Sequence, residues 1–591
     1  MAKRLPTLDC PAVTAPRNTR RRRATLADEL PRIGRPGSRS AELHTDGNTD
    51  AHTAANTDSP SAPPQLSEAG FLRAASPGTL VWLGTLGTLL MGLGGLGGGA
   101  LPVVDNPWSS LPLGALMGRM MLASNAIVLV GVGLLVVAWL LLAPYVGATS
   151  SATAKLRTDA QVGDRFGVAT ALATLLAWVF PLLGTAPLFT QDIYSYLANG
   201  LIVREGMDPY SAGPVELLGV EHHLARSVPF IWAHSPSPYG PVALGVASGI
   251  SWITGDSILW GVLAHRAVSI AGILAASWGV IHLAHRCGVR PAAALWLGVL
   301  NPLTILHLVG GIHNEALMAG FVLIGLEVGL RGVDGLSSES GKRWWRPWAL
   351  LAFSGVLVTC AGLVKVSGFI GLGFVGMALA RALRPRLGGT RALLMAAGVQ
   401  STLLVVTSLA VAQITGIGFG WVTGQGGAAS IRSWLSLTTD IGVIGGALGM
   451  WLGLGDHTEA MLTVTRTAGV AVAVAFMVRM LWATYRGTIH PIGGLGVSTL
   501  VLVMLFPVVH PWYPLWAILP LAAWANRPLF RAGVAAYSAV FSFLVLPRGL
   551  ALTPEAVATI YGIATVAFAV LAAAAWLRLR RVSDGGLHSP A

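Results

Sequence analysis

The chain has 591 residues, of which 53% are hydrophobic and only 11% are charged, and its mean hydropathy is +0.65. A soluble domain carries about 25% charged residues, so this composition excludes a soluble globular protein and indicates a polytopic membrane protein. The formal net charge is +13, from 39 Lys and Arg against 26 Asp and Glu. The basic residues do not form a face with interleaved aromatic residues, which argues against a nucleic-acid-binding protein. They are typical of loops that fix membrane topology.

Residues 1–75 form a polar segment rich in Ser, Thr, Pro, Ala and Arg. This composition is typical of disorder, and the segment lacks the apolar core that follows the basic region of a signal peptide. The basic run Arg20–Arg23 favours the cytoplasmic side, where anionic lipid is available. We predict a disordered cytoplasmic tail over residues 1–75, one membrane domain over residues 76–582 and a short cytoplasmic tail over residues 583–591.

From residue 79 onwards, apolar stretches follow one another along the chain. Many are about 17 to 25 residues long and nearly free of charge, which is the length that a helix needs to cross a bilayer. They are continuously apolar rather than alternating, so we predict an all-α fold, a polytopic transmembrane helical bundle, rather than a β-barrel. About 14 spans are predicted, at residues 79–101, 122–147, 165–186, 258–284, 292–309, 314–331, 348–364, 368–382, 392–414, 460–485, 492–509, 514–526, 532–547 and 554–577.

The basic loops predict the topology of these spans. If all of them lie inside, both termini are cytoplasmic and the long loop over residues 187–257 lies outside, as does the loop over residues 415–440. This arrangement requires that Pro241 to Gly255 and Leu435 to Gly453 do not cross the membrane. The alternative has about 16 spans, with some basic loops outside.

The cysteine and histidine pattern gives no metal or disulfide signature. Cys10, Cys287 and Cys360 are widely separated and have no spacing typical of zinc ligands. His222 and His223 are adjacent, and an exposed loop pair is a simpler interpretation than a metal site. We therefore expect no metal ion.

Five predicted outer turns carry polar or aromatic residues next to the membrane. Neither a channel nor an inert scaffold needs this pattern, whereas an active site at the lipid–water boundary does. An acid, cations and aromatic rings on one face favour chemistry on a lipid-linked sugar. The candidate site residues are Asp192, Tyr194, Tyr196, Asp208, Tyr239, His313, Asn314, Glu315, Lys365, Arg432, Trp434, His510, Trp512 and Tyr513.

Asp192 is the candidate catalytic residue. It follows an apolar stretch that ends near Ala186, and a carboxylate at the edge of a membrane span is costly and needs a reason. Transfer of a sugar from a lipid phosphate needs a base that takes the proton of the acceptor hydroxyl. An N-terminal cap for a helix over Ile193 to Val203 is the alternative role, and the two roles are compatible.

Lys365 is the first candidate for the cation that stabilises a phosphate leaving group. It stands alone between two apolar stretches, where a snorkelling membrane anchor is the alternative interpretation. Arg204 and Arg432 are weaker candidates for the same role. Trp512 and Tyr513 could stack on a sugar ring, although interfacial Trp and Tyr also serve as membrane anchors.

Two absent motifs limit the choice of donor. The sequence contains no Gly-x-x-x-x-Gly-Lys phosphate loop, so direct use of ATP is not expected. It also contains no Asp-x-Asp pair of the type that holds a metal and a nucleotide sugar. We therefore expect a lipid-linked donor and no cofactor.

The motifs together resemble those of a known family. Asp192 with Tyr194 and Tyr196, then Asp208-Pro209-Tyr210 and Ser237-Pro238-Tyr239-Gly240-Pro241, resemble the first large outer loop of membrane-embedded GT-C glycosyltransferases. The turns Gly311 to Met318 and His510 to Pro514 fit the polyprenyl-phosphate-mannose-dependent α-(1→6)-mannosyltransferases of lipomannan and lipoarabinomannan synthesis. The resemblance covers about residues 80–580 and is greatest to the MptB-like branch, which acts on early mannan.

This resemblance implies a GT-C fold and an inverting mannosyltransferase of the plasma membrane. The donor would be polyprenyl-phospho-mannose on the extracytoplasmic face, and the acceptor an α-(1→6)-mannan or a mannosylated phosphatidylinositol. Asp192 matches the acid of the first loop in this family and would deprotonate the acceptor 6-hydroxyl. Asp208 or Glu205 would be a second acid.

Two alternatives remain open from sequence. The first is a transferase of the same fold for another lipid-linked sugar, such as arabinose. The second is a transporter or flippase for lipid-linked sugars, which predicts two related halves and charges near the bilayer centre. No internal repeat is evident in the sequence, and its polar residues cluster at one predicted face.

Overall fold

The computed structural model describes residues 76–148, 166–337, 344–424 and 431–585. Within these ranges the regular structure is entirely helical, so the predicted all-α class is confirmed. The predicted N-terminal tail, including Cys10 and Arg20–Arg23, lies outside the described residues. So does most of the predicted C-terminal tail.

In the described ranges, eleven α-helices precede residue 300. Two of them, α1 and α3, form an antiparallel pair, and the short helices α5 to α9 build the predicted outer loop. The bounds are α1 Pro77–Gly98, α2 Gly114–Arg119, α3 Met121–Leu142, α4 Val168–Val179, α5 Asp192–Arg204, α6 Pro214–Leu218, α7 His223–Ser227, α8 Phe230–Ala233, α9 Pro241–Thr254, α10 Ile258–Arg286 and α11 Pro291–Gly298.

A π-helical segment, Thr304–Gly310, leads into the second half. Ten further helices follow: α12 Glu315–Ser337, α13 Trp345–Val364, α14 Ile370–Leu387, α15 Gly389–Thr415, α16 Leu437–Trp451, α17 Thr458–Arg486, α18 Pro491–Leu505, α19 Leu515–Trp524, α20 Pro528–Phe541 and α21 Pro554–Gly585. Lys365 lies in the break between α13 and α14.

Nine helices in the described ranges are long and apolar enough to cross a membrane. Each coincides with a predicted span. The other five predicted spans, residues 165–186, 292–309, 492–509, 514–526 and 532–547, contain shorter helices. The two stretches predicted not to cross form α9 and α16, of 14 and 15 residues. Because α18 is also only 15 residues long, length alone does not separate crossing from non-crossing helices, and the count of 14 remains a prediction.

Glycines allow α1 and α3 to pack with their backbones in contact. A Cβ atom on Gly87 would lie 2.6 Å from the carbonyl oxygen of Gly131, and one on Gly131 would lie 2.4 Å from that of Gly87. No side chain larger than hydrogen fits at either position. Small residues of this kind are what bring membrane helices into close van der Waals contact.

A reciprocal tryptophan pair joins α3 to α11. The indole N–H of Trp139 donates to the carbonyl of Trp296 at 2.8 Å, and the indole N–H of Trp296 donates to the carbonyl of Trp139 at 2.7 Å. The rings stack with centroids 5.0 Å apart. Both polar groups are thereby satisfied inside the largest apolar core.

Arg266 of α10 fixes the segment that leads to Asp192. Its guanidinium is buried and donates to the carbonyls of Leu183, Thr185 and Ala186 at 2.7, 2.8 and 3.4 Å. These carbonyls lie in the irregular segment between α4 and α5, where a buried backbone carbonyl needs a hydrogen-bond partner. The hydrogen bonds from Arg266 therefore set the direction in which the chain enters α5.

Candidate active site

One cavity of about 400 Å³ brings together side chains from widely separated segments. Its walls come from α5, α8, the turn before α12, the break between α13 and α14, helices α14, α17 and α18, and the turn between α18 and α19. One part is polar and the rest is apolar. The lining residues are Asp192, Trp232, Pro238, Tyr239, His313, Glu315, Lys365, Val366, Ser367, Ile370, Ile431, Met477, Leu502, Phe506, Pro507, Val508, His510, Trp512, Tyr513 and Trp516.

Asp192 is the first residue of α5, and its carboxylate lines the cavity. The cap position belongs to Gln191, and no side chain caps this helix. Oδ1 of Asp192 instead accepts a hydrogen bond from the indole N–H of Trp232 at 3.0 Å. Oδ2 lies 3.6 Å from Nδ1 of His313. The carboxylate is 19% exposed, so it is in contact with the cavity while being held by the protein.

His313 lies in a strained turn between the π-helical segment and α12. The preceding residue, Ile312, has φ of 59°, a conformation that is costly for a β-branched side chain and that is enriched at functional sites. The buried imidazole stacks on Trp512 with centroids 4.0 Å apart. Burial lowers the pKa of His313, although the neighbouring Glu315 and Asp192 carboxylates act in the opposite direction. The ring is therefore neutral near neutral pH.

Lys365 and Glu315 form an ion pair in the polar part of the cavity. Nζ of Lys365 lies 2.6 Å from Oε1 of Glu315 and donates to the hydroxyl of Tyr513 at 3.3 Å. The ammonium also lies 4.4 Å from the ring centre of Tyr513 and 4.9 Å from that of Trp516. Trp512 donates its indole N–H to the same carboxylate oxygen at 3.3 Å. Lys365 is thus surrounded by acid and aromatic rings, which favour a cation.

The turn between α18 and α19 supplies the aromatic wall. His510 and Trp512 stack with centroids 4.7 Å apart at 11°, and Tyr513 stacks on Trp516 at 4.3 Å. Burial lowers the pKa of His510 to about 4, with the nearby Asp192 carboxylate opposing the shift. The imidazole is therefore neutral at neutral pH, and the wall consists of flat, uncharged ring faces.

Two predicted tyrosines form a pair at the cavity wall. The hydroxyl of Tyr239 bonds to that of Tyr196 at 3.4 Å, and the rings meet edge to face at 5.2 Å. Tyr239 lines the cavity and Tyr196 supports it. Tyr194 instead is fully buried and donates its hydroxyl to the carbonyl of Ala100 at 2.6 Å, so its contacts are with the core.

The remaining predicted residues do not line the cavity. Asp208 accepts the backbone N–H of Tyr210 at 2.9 Å and so stabilises a turn. Arg432 is half exposed and pairs with Glu459 at 2.5 Å. The carbonyl of Asn314 accepts backbone N–H groups at the start of α12. Trp434 is 62% exposed.

Several residues that line the cavity were not predicted from the sequence, chief among them Trp232. It lies in the outer loop, 40 residues after Asp192, in a stretch without periodicity. Its aromatic character in a loop already rich in tyrosines was the available signal. The apolar wall was also missed, because its residues read as ordinary span interiors: Ile370, Met477, Leu502, Phe506 and Val508.

The arrangement can accommodate an amphipathic substrate. The polar part offers a carboxylate, an ammonium and ring faces, and the apolar part offers aliphatic side chains of α14, α17 and α18 to a hydrocarbon chain. Ligand sites with an apolar wall and a few placed polar groups are typical of small-molecule recognition. Within the described ranges, no group of three or more His, Cys, Asp or Glu side chains is arranged to hold a metal ion.

Comparison with known proteins assigns the chain to a family. Residues 81–381 match the family model "Alpha-(1->6)-mannopyranosyltransferase, N-terminal domain", and residues 438–573 match "MptB C-terminal domain". The chain is 56% identical to alpha-(1->6)-mannopyranosyltransferase B of Corynebacterium glutamicum, over 95% of this chain and 93% of that protein. It is 41% identical to an alpha-(1->6)-mannopyranosyltransferase of Mycobacterium tuberculosis, over 76% of this chain and 79% of that protein.

A solved structure is also similar. The archaeal oligosaccharyltransferase of Archaeoglobus fulgidus, in complex with an inhibitory peptide and a dolichol-phosphate, aligns with 68% of this chain. The alignment covers 56% of that chain at 13% identity, with a TM-score of 0.36. The family matches, together with a cavity that joins Asp192 to the ion pair, confirm the resemblance found in the sequence: the chain belongs to the alpha-(1->6)-mannopyranosyltransferase family of membrane glycosyltransferases.

Proposed function

We propose that the chain transfers mannose from polyprenyl-phospho-mannose to an α-(1→6)-mannan acceptor of the early lipomannan backbone, without a cofactor. The observation that carries this proposal is the composition of one cavity. It joins a carboxylate, an ammonium and sugar-sized ring faces to a wall of aliphatic side chains. A lipid-linked sugar likewise joins a polar sugar phosphate to a hydrocarbon chain. The names of the relatives support mannose as the sugar.

In the proposed reaction Asp192 is the general base. Its carboxylate takes the proton from the acceptor 6-hydroxyl as that oxygen attacks the anomeric carbon of the donor. The bond from the anomeric carbon to the phosphate oxygen breaks, and its electron pair leaves with polyprenyl phosphate. A single displacement inverts the anomeric carbon, so a β-linked donor gives an α-(1→6) product. General base catalysis of this kind contributes about 10²- to 10⁴-fold.

Lys365 is proposed to contact the donor phosphate. An ammonium has three N–H donors, and Lys365 directs one towards Glu315 and one towards Tyr513. The third is available to a phosphate oxygen, whose charge increases as the leaving group departs. His510, which stacks on Trp512, adds an aromatic surface that a mannose ring can contact in the cavity. Glu315 keeps the lysine in place through a bond of 2.6 Å.

The proposal also includes a membrane orientation. Placing the basic loops in the cytoplasm puts the cavity on the extracytoplasmic side of the plasma membrane, with both termini inside. The acceptor, a mannosylated phosphatidylinositol or a growing mannan, would bind on that side. Asp208 and Glu205, which the resemblance offered as a second acid, do not line the cavity, so the proposed reaction gives neither of them a role. Glu205 contacts Arg204 at 3.1 Å.

The test is a panel of donors offered to the purified full-length protein. Radiolabelled polyprenyl-phospho-mannose, polyprenyl-phospho-arabinose and GDP-mannose are each supplied with a short α-(1→6)-mannoside. We expect label in the oligosaccharide from the first donor alone, and NMR of the product should show an α-anomer. Transfer from the arabinose donor alone would instead support the sibling transferase. Movement of intact donor across a vesicle bilayer, without transfer, would support a flippase.

A further inference from the structure

The indole of Trp232 is the one side chain in the described ranges that hydrogen-bonds to the carboxylate of Asp192 within 3.5 Å. Its Nε1–H donates to Oδ1 at 3.0 Å, which is an ordinary N–H to oxygen distance. Bonds to an ionised acceptor are about twice as strong as neutral ones. Trp232 also lines the cavity. No residue motif in the sequence pointed to this contact.

The two oxygens of Asp192 are therefore not equivalent. Oδ1 carries the Trp232 bond, whereas Oδ2 faces Nδ1 of His313 at 3.6 Å. That distance is too long for a hydrogen bond. The imidazole of His313 is held by its stacking on Trp512. Within the described part of the chain, Oδ2 is the oxygen whose lone pairs are not engaged at hydrogen-bond distance.

Trp232 sits on a short helix with its own support. Helix α8 follows Pro229, whose carbonyl accepts the N–H groups of Trp232 and Ala233 at 2.8 and 3.0 Å. At its other end, His234 contacts Glu216 of α6 at 2.5 Å. Phe230 is 86% exposed, so the indole rather than its neighbour joins α8 to the site. The fold thus places the N–H of Trp232, which belongs to a segment separate from α5, next to the Asp192 carboxylate.

We propose that Trp232 is a positioning residue that binds Oδ1 of Asp192, so that Oδ2 is the oxygen that takes the acceptor proton. This inference rests on the proposed function. In the step, the proton of the acceptor 6-hydroxyl passes to Oδ2 while the acceptor 6-oxygen forms the new bond to the anomeric carbon. The bond from the anomeric carbon to the phosphate oxygen breaks, and its electron pair leaves with polyprenyl phosphate. The hydrogen bond to Oδ1 fixes the orientation of the carboxylate, because it holds one of its two oxygens.

A sugar-stacking platform is the competing role for the same ring. It predicts that a substitution that keeps an aromatic face leaves activity intact. A positioning role through the indole N–H predicts the opposite, because Trp232→Phe keeps the face and removes the donor. The two roles also differ in the kinetic constant that they affect: stacking acts on acceptor KM, and orientation of the base acts on kcat.

The experiment measures kcat and both KM values over a range of pH for Trp232→Phe in the full-length protein. We expect kcat to fall about tenfold with both KM values within about twofold, since loss of a bond to a charged acceptor is expected to have this size. Trp252→Phe is the matched control, because Trp252 lies in the same outer loop and is 72% exposed. It should leave kcat and both KM values unchanged.

A second pair of variants covers the case in which Trp232→Phe does not fold. Trp232→Gln and Trp232→Met have side chains of similar length, but only the glutamine can donate an N–H. A positioning role through the N–H predicts a higher kcat for the glutamine variant than for the methionine variant. Equal values for the two, or a normal Trp232→Phe enzyme, overturn it. A loss confined to acceptor KM, with kcat unchanged, also overturns it.

Asp192→Asn separates this inference from the proposed function. If the wild type transfers mannose, Asp192→Asn does not and Trp232→Phe is normal, the inference alone fails. If Asp192→Asn retains wild-type turnover, the proposed role of Asp192 fails and the inference fails with it.

Discussion

Lys365 and Glu315 are 50 residues apart in sequence, yet the ammonium and the carboxylate meet at 2.6 Å in the polar part of the cavity. The carboxylate is 4% exposed and the lysine side chain 23%. The pair explains how a glutamate at the start of a membrane helix is tolerated, because removing one partner of a buried pair leaves an uncompensated charge. It also means that a lysine variant alone cannot report on phosphate binding.

The first prediction concerns this pair. Lys365→Met should destabilise the protein by about 3–5 kcal/mol, because Glu315 is left buried without its partner. The double variant Lys365→Met with Glu315→Gln should recover most of that stability, since the unpaired charge is gone. Donor KM should stay raised in the double variant if Lys365 binds phosphate. Thermal unfolding in detergent and steady-state kinetics check the two parts.

Glu315→Gln alone is the control for that pair. It keeps the ammonium, so donor KM should change less than in the double variant. A double variant with normal stability and normal donor KM would return Lys365 to the role of a structural anchor.

The second prediction is a pH dependence of stability. Burial lowers the pKa of His510 to about 4, whereas an unfolded histidine titrates near 6.5. The unfolded state therefore binds the proton first as pH falls, and stability should be lost from about pH 6.5 down to about pH 4. The loss attributable to His510 is on the order of 3 kcal/mol. His510→Gln should flatten this part of the stability curve, as followed by unfolding temperature against pH.

His457→Gln is the matched control for the pH series, because His457 is exposed. Its curve should follow that of the wild type. An unchanged slope in His510→Gln would contradict the assignment of the acid sensitivity to this ring.

The third prediction concerns Arg432. Its pair with Glu459 is solvent-exposed, at 54% and 82% of the two side chains, and exposed pairs contribute about 0–1 kcal/mol. Arg432 does not line the cavity. Arg432→Gln should therefore change donor KM less than about twofold and unfolding temperature little. A donor KM raised tenfold or more would show that the residue reaches the substrate after all.

The fourth prediction tests the orientation. In a variant without the native cysteines, Glu221→Cys should react with a membrane-impermeant maleimide from outside intact cells, since Glu221 is 89% exposed in the loop predicted to be extracytoplasmic. Arg386→Cys, at an exposed position of a predicted cytoplasmic loop, should react only after the cells are opened. The reverse pattern would invert the topology.

The fold class was predictable because a long uncharged stretch that crosses a membrane must satisfy its backbone hydrogen bonds internally, and a helix does so. The position of Asp192 was predictable for the same reason, since a carboxylate at the end of such a stretch is costly. Tyr194 could have been excluded by helix geometry: it is two residues, or about 200°, from Asp192 around α5, whereas Tyr196 is four residues away and shares its face. Tyr196 indeed lies next to the cavity and Tyr194 in the core.

Other parts of the site depend on tertiary contacts that sequence does not encode locally. The loop that carries Trp232 folds into short helices without a repeating apolar pattern, so its register against Asp192 could not be predicted. The partner of Lys365 could not be chosen from sequence either, because pairing across 50 residues depends on how α12 and α13 pack. Arg432 and Trp434 were assigned to the site because of their predicted outer position. An outer position does not specify whether a side chain reaches the cavity.

The role of Asp192 as general base is tested most directly by comparing Asp192→Asn with Asp208→Asn. Both replace an outer-loop carboxylate with its amide, but only Asp192 lines the cavity. Transfer of radiolabelled mannose from saturating polyprenyl-phospho-mannose to an α-(1→6)-mannoside is measured with purified, monodisperse proteins. We expect Asp192→Asn to lower kcat by about 10²- to 10⁴-fold with donor binding retained, and Asp208→Asn to stay close to wild type. Turnover of Asp192→Asn within a few-fold of wild type would contradict it.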